Sequence, residues 1–326
     1  MSDLRTSNLQ ASDLQTSDLQ TCLHGLWLPL ITPFRDGALD EASLRRLVRH
    51  YVGLPVDGLV LAATTGESLT LSPAETERLV FTVQDEAGKT RNPPVLLGLS
   101  GSNTAELLQT LERTAGWPID GYLISCPYYS RPSQLGLELH FRALADRAAH
   151  PVLLYNIPYR TGVNLGNEAM LRLASHPNIA GLKDCCADRN QSLELMRRRG
   201  QDFAVLTGED AQYFDALNDG ADGGILATAH IETATFAEIY RMMAAGERNA
   251  ALARWRSVAD LTRLLFCEPS PAPIKHWLWR SGLIDSAEVR LPMTLVSPAL
   301  AARIDREIEG RISGHGQELR TGQEIS

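Results

Sequence analysis

Lys183 stands near the end of a short apolar run, 179-IAGLKD-184. In an extended strand alternate residues share a face, so Ile179, Gly181, Lys183 and Cys185 point the same way. An ammonium among apolar neighbours is costly, and its pKa falls. A drop from about 10.4 to 7–8 is roughly three units, or about 4 kcal/mol. The resulting neutral amine can attack a ketone and form a Schiff base. Taken alone, Lys183 fits equally well a lysine that snorkels to water or pairs with Asp184 or Glu209. Other residues sharpen the choice. Carbinolamine formation and dehydration move several protons, and Thr64, Tyr129 and Tyr155 supply three hydroxyls that could pass them along. Thr64-Thr65-Gly66 has the make-up of an anion nest, whose backbone N–H groups hold a carboxylate. Arg160, in the loop after Pro158, offers a fork for a second carboxylate.

These residues need a scaffold that gathers distant chain segments. From Leu23 onward, short apolar runs alternate with helix-period stretches. The runs are 26–32, 58–64, 95–100, 121–127, 152–157, 179–184, 203–208 and 223–228. None shows clean polar alternation, which suits strands buried on both faces. The stretches between them read as helices, with Ser72-Pro73-Ala74-Glu75 as a capping box plus a first-turn proline. Eight strand–helix units in series predict a (β/α)₈ barrel. An open doubly wound sheet lacks its Gly-rich fingerprint here. In such a barrel the chemistry sits where strands end, which is where Thr64, Tyr129, Tyr155, Lys183 and Gly208-Glu209-Asp210 stand. After residue 246 only helical patterns follow. Residues 23–246 are therefore read as the catalytic barrel, and 247–326 as a helical C-terminal extension with a frayed tail. Residues 1–22 are read as a disordered low-complexity tail. Its four pentads place leucine at 4, 9, 14 and 19, a step of about 140° net on a helix that gathers no apolar stripe.

Composition narrows the function classes. With 44% hydrophobic and 21% charged residues, the chain is expected to fold. A net charge of −8 argues against a nucleic-acid partner. No apolar run reaches the 18 or so residues that cross a bilayer, so no membrane is expected. Five cysteines, with no CxxC pair, fit no zinc site and suggest reduced thiols in a cytoplasmic protein. Adjacent Cys185 and Cys186 are read as ordinary strand-end residues.

Together the motifs TTGES (64–68), PYYSRP (127–132), YNIPYRTG (155–162), GLKD (181–184), GED (208–210), EPSPAPIK (268–275) and LPMT (291–294) resemble the dihydrodipicolinate synthase and N-acetylneuraminate lyase superfamily of class I aldolases. The resemblance spans about 24–300. It implies a barrel in which Lys183 forms an imine with pyruvate, Tyr155 shuttles protons, and Thr64 relays between Tyr155 and a Tyr129 that enters a neighbouring subunit's site. It further implies that the Thr64–Thr65 turn holds the pyruvate carboxylate, that Gly208 and the Ile225 backbone line the pocket, and that Arg160 grips a carboxylate on an aldehyde substrate, aspartate semialdehyde. No metal or organic cofactor is implied, because the Lys183 imine is itself the electron sink. The implied assembly is a homotetramer, a dimer of tight dimers. Family members that bind lysine at the dimer interface use groups matched here by Ser68, Glu106 and Tyr128. Pro73, Thr76 and Ser102 stand where such members carry a histidine pair and an asparagine, which implies weak or absent lysine sensitivity. Asp184-Cys185-Cys186-Ala187 departs from the family's acidic-Ala-(Ser/Thr)-Gly. Two other readings stay open: a pyruvate aldolase for sugar acids, and a silent barrel serving as a binding protein.

Overall fold

The computed structural model describes Leu19 and residues 22–90 and 92–321, with side chains through residue 311. In these residues the eight runs become eight parallel strands: β1 (Gly25–Pro29), β2 (Gly58–Leu61), β3 (Val95–Leu99), β4 (Gly121–Ser125), β5 (Val152–Asn156), β6 (Ile179–Asp184), β7 (Ala204–Thr207) and β8 (Gly223–Ile225). Strands adjacent in sequence are adjacent in space, and Trp27 of β1 closes the barrel by pairing with Ile225 of β8 and Gly58 of β2. All strand residues are buried, which explains the missing polar alternation.

Two apolar layers result. One lies between strands and helices and includes Leu28, Leu59, Leu97, Ile124, Leu154 and Leu182. The other fills the barrel and includes Trp27, Val60, Leu123, Leu153, Ala180 and Leu206. Trp27 is the largest plug, and it needs Gly58 beside it. A Cβ on Gly58 would lie 2.3 Å from the indole ring.

The helices start where local chemistry caps them. Asp40 accepts the Ser43 N–H at the start of α1 (Glu41–Val52). The capping box expected at Ser72–Glu75 forms, with Pro73 opening α2 (Pro73–Ala87). Around the barrel follow α3 (Thr104–Thr114), α4 (Gln134–Arg147), a short α5 (Pro158–Thr161), α6 (Asn167–Ala174), α7 (Arg189–Arg198), α8 (Tyr213–Asn218) and α9 (Ala229–Ala244). The extension holds α10 (Arg248–Leu265), α11 (Ala272–Arg280) and α12 (Pro298–Thr321).

Several apolar runs outlast their strands. The second was read as 58–64, but β2 ends at Leu61 because Ala62 takes a left-handed backbone, φ 48°. That bend brings the Ala62 carbonyl against β3, where a Cβ on Gly98 would lie 2.5 Å from it. The expected 1–22 tail lies outside the described residues except at Leu19 and Cys22. Leu19 is buried in the barrel's inner layer, its carbonyl accepts the Leu23 N–H at 3.0 Å, and Gly121 leaves room for its side chain. Packed chain thus begins before residue 23.

Candidate active site

Strand register sets the centre of the site. Tyr155 of β5 pairs with Lys183 of β6, and Ser125 of β4 pairs with Tyr155. Lys183 is buried inside the barrel, with Nζ 4.4 Å from the centroid of the Tyr155 ring. Burial pulls its ammonium below the ordinary lysine range. The pairing considered with Asp184 does not form. Asp184 faces outward, where it accepts from Ser192 Oγ at 2.6 Å and from the Cys186 N–H at 3.0 Å. Nor does a Glu209 oxygen come within ion-pair distance of Lys183 among the described residues; Glu209 and Asp210 act on it only through their fields.

Tyr155 is buried, and burial holds its phenol well above its ordinary pKa, opposed by a hydrogen bond with the Thr64 side chain. It is therefore a neutral phenol at neutral pH. Thr64 follows the β2 bend in a turn fixed by its own carbonyl accepting the Glu67 N–H at 3.1 Å and by Thr32 Oγ1 donating to the Gly66 carbonyl at 2.7 Å. Thr65 is buried in the same turn. Ile225 ends β8 in the inner layer shared with Tyr155 and Cys185. Gly208 is a packing requirement. A Cβ there would lie 2.4 Å from both Lys183 Cε and Cys185 Sγ.

A cavity of about 290 Å³ opens beside this core, lined by Thr64, Ser68, Tyr128, Tyr155 and Arg160 among others. Tyr155 belongs to both features: it walls the cavity and lies against Lys183. Arg160 is exposed on α5, its guanidinium 5.6 Å from the centre of the Tyr159 ring. Tyr129 is not brought to this Lys183. It is 94% exposed, with a left-handed backbone at φ 68° and its N–H on the Thr161 carbonyl. Ser68 and Tyr128 reach the cavity, while Glu106 lies exposed in the first turn of α3.

Four contributors had no role assigned from the sequence. Cys185, read as an ordinary strand-end residue, is buried beside the lysine with its thiol 4.0 Å from the Tyr155 hydroxyl. Period-two alternation had placed it on the lysine's face, and that was its only signal. Glu209 places its carboxylate against the Cys185 thiol and the Tyr159 hydroxyl. Burial pushes the Tyr159 phenol well above its ordinary value. The C-terminal extension adds Ser270, Pro271, Pro292 and Met293 to the cavity wall. Finally, fully buried Lys275 of α11 pairs with the Glu67 carboxylate and donates to the Glu288 carbonyl at 2.8 Å, tying the extension to the end of the Thr64 turn.

A 4-hydroxy-tetrahydrodipicolinate synthase 2 of Clostridium acetobutylicum is 40% identical over 285 residues, covering 87% of this chain and 99% of that protein. A dihydrodipicolinate synthase of Acinetobacter baumannii, solved with pyruvate, superposes with a TM-score of 0.84 at 32% identity, covering 88% of this chain and 98% of that one. A dihydrodipicolinate synthase from Cyanidioschyzon merolae, solved with lysine bound, gives a TM-score of 0.84 at 29% identity, covering 87% and 97%. The model of the dihydrodipicolinate synthetase family matches residues 22–309, and the chain belongs to that family.

Proposed function

We propose that this chain is a 4-hydroxy-tetrahydrodipicolinate synthase, joining pyruvate to L-aspartate-4-semialdehyde through an imine on Lys183. The observation that carries this reading is the buried lysine set in register against Tyr155, with Thr64 on the tyrosine and Arg160 at the adjoining cavity. Lys183 Nζ attacks the pyruvate ketone carbon. Tyr155, a neutral phenol, gives the proton with which the carbinolamine hydroxyl leaves as water, and Thr64 resupplies it. The imine then loses a methyl proton to give an enamine, whose carbon attacks the aldehyde. The substrate amine finally adds to the imine carbon, and the C–N bond to Lys183 breaks as the ring closes. The turn at Thr64 and Thr65 receives the pyruvate carboxylate, with Gly208 and Ile225 shaping the pocket. Arg160 receives the carboxylate of the aldehyde substrate. The scheme uses no metal or organic cofactor, since the protonated imine accepts the electrons.

Tyr129 serves a second copy in this reading. An exposed tyrosine held in a left-handed backbone is costly unless something uses it. Insertion into a neighbour's site would extend the Thr64–Tyr155 relay to solvent, within a dimer that pairs again to a tetramer. Five unbridged cysteines accord with work in the reducing cytoplasm.

A substrate panel tests the reading. Pyruvate with L-aspartate-4-semialdehyde should turn over, whereas sialic and 2-keto-3-deoxy sugar acids should not be cleaved. Borohydride with pyruvate should add the reduced adduct to Lys183 alone. Efficient sugar-acid cleavage would transfer the site to a lyase, and absence of any adduct would end the imine mechanism.

A further inference from the structure

Glu209 follows Gly208 at the mouth of β7 and opens the 3₁₀ turn Asp210–Gln212. Its N–H is taken by Thr207 Oγ1 at 3.2 Å. Its side chain lies against the Cys185 thiol just after β6 and the Tyr159 hydroxyl on α5. One carboxylate oxygen, Oε1, is buried with no hydrogen-bond partner among the described residues. Buried polar atoms are nearly always satisfied, and an unsatisfied anionic oxygen is among the costliest to leave so. The neighbouring Asp210 shows the contrast, since its Oδ1 accepts the Thr228 N–H at 2.5 Å. A group that would satisfy Glu209 Oε1 must donate, and a cation would do so best.

The surroundings narrow that donor. Tyr159 separates two opposite charges: its hydroxyl faces Glu209, and its ring faces the Arg160 guanidinium. Both charges also act on Lys183, so both are near the reacting amine. An anion acceptor and a cation acceptor on either side of one ring match the head group of an α-amino acid, which carries both charges on one carbon. A sugar-acid aldehyde has no cation to offer.

We infer that Glu209 is the specificity-determining acceptor for the ammonium group of the aldehyde substrate, opposite an Arg160 that holds its carboxylate. This deepens the proposed synthase reading and rests on it.

The test compares two aldehydes that differ only in the amino group. With pyruvate saturating, L-aspartate-4-semialdehyde is varied as substrate and succinic semialdehyde as competing inhibitor. Glu209→Gln keeps shape and removes the charge. It should lower kcat/KM for the amino aldehyde by about 10- to 100-fold, as expected for one charge-assisted hydrogen bond, while the Ki of succinic semialdehyde moves by less than about 3-fold. Glu209→Asp, shorter but charged, should fall between. Equal losses on both aldehydes, or no loss on either, would overturn the inference. A wild-type enzyme that ignores the amino aldehyde but cleaves sugar acids would instead remove the functional reading, and the inference with it.

Discussion

The ion pair between Lys275 and Glu67 offers a quantitative test of how the extension supports the site. Both side chains are buried, at 0% and 2% exposure. Lys275 also donates to the Glu288 carbonyl, and Nζ lies 4.3 Å from the centre of the Phe34 ring. The second Glu67 oxygen accepts the Arg290 N–H at 3.0 Å. Lys275→Met keeps the volume and removes the cation. It leaves a buried carboxylate with one backbone donor and orphans the Glu288 carbonyl. Removing one partner of such a pair costs about 3–5 kcal/mol, because the other charge stays buried. Unfolding entropy of about 2.1 cal/mol/K per residue makes that a loss of roughly 4–7 °C in Tm for a chain of this length. Glu67 ends the Thr64 turn in a left-handed backbone, φ 55°, so a carboxylate seeking water pulls on Thr64, the proposed relay. The variant should therefore also lose kcat. Adding Glu67→Gln removes the uncompensated charge while keeping an acceptor for Arg290, and should restore at least half of the lost Tm. Thermal melts of the wild type and of the single and double variants decide it. A Lys275→Met protein that melts within about 1 °C of wild type, or a double variant no better than the single one, would refute the reasoning.

Arg160→Ala should lower kcat/KM for the amino aldehyde by at least about 10-fold, while borohydride trapping of pyruvate on Lys183 survives; unchanged aldehyde kinetics would remove Arg160 from the site. Burial lowers His140 and His230 from 6.5 to about 4. The unfolded chain then binds more protons between those values, so stability is complete above about pH 6.5 and is lost as pH falls toward 4, by up to about 3 kcal/mol per histidine. His140→Asn, which keeps an acceptor for Thr104 Oγ1, should flatten that part of the Tm–pH curve; an unaltered slope would clear His140. L-lysine should inhibit weakly or not at all. Pro73 has no side-chain donor, and the Thr76 and Ser102 hydroxyls donate to the Ser72 and Tyr128 carbonyls. Two or three missing contacts at roughly 1 kcal/mol each weaken binding about 5- to 150-fold, so half-inhibition well below about 1 mM would contradict this account.

What the sequence disclosed and what it hid divide along contact range. Buried strands make short apolar runs, and capping residues announce helices, so the barrel was readable from local pattern. Strand alternation put Lys183 and Cys185 on one face, but Ile179, expected on that face too, lies in the outer layer with Ala180 in the inner one, because the β5–β6 register shifts at Val152/Leu153. Contacts between separate loops leave no such trace. Glu209 and Tyr159 meet only because the ends of β7 and β5 overhang the β6 lysine. Lys275 stood in a motif with no role attached, because its partner Glu67 is 208 positions away. Leu19 looked like one more leucine of a repeat whose period suits neither helix nor strand. Its burial against Gly121 in the inner layer depends on strands that come together only in the fold. Tyr129 carries its signal in a backbone angle, which residue types in this stretch do not specify.

The chain's three lysines show how surroundings rather than residue type assign the chemistry. Lys89 lies on the surface at 3.0 Å from Glu86 and 3.5 Å from Asp85, and the Glu86 hydrogen bond raises its pKa. A raised pKa keeps the lone pair protonated, so Lys89 is a poor nucleophile. Lys275 is as buried as a lysine can be, yet a carboxylate and a carbonyl occupy its protons, and its amine has no route to a substrate. Lys183 alone combines burial with the lack of a carboxylate at ion-pair distance among the described residues, and burial lowers its pKa. Cys185, Asp210, Glu209 and Arg160 act on it only through their fields. Burial favours the free amine, the missing partner leaves the lone pair available, and the Gly208 gap leaves Cε its place. Lys89 lacks the burial, and both other lysines hold a carboxylate, which is why the proposed imine is assigned to 183.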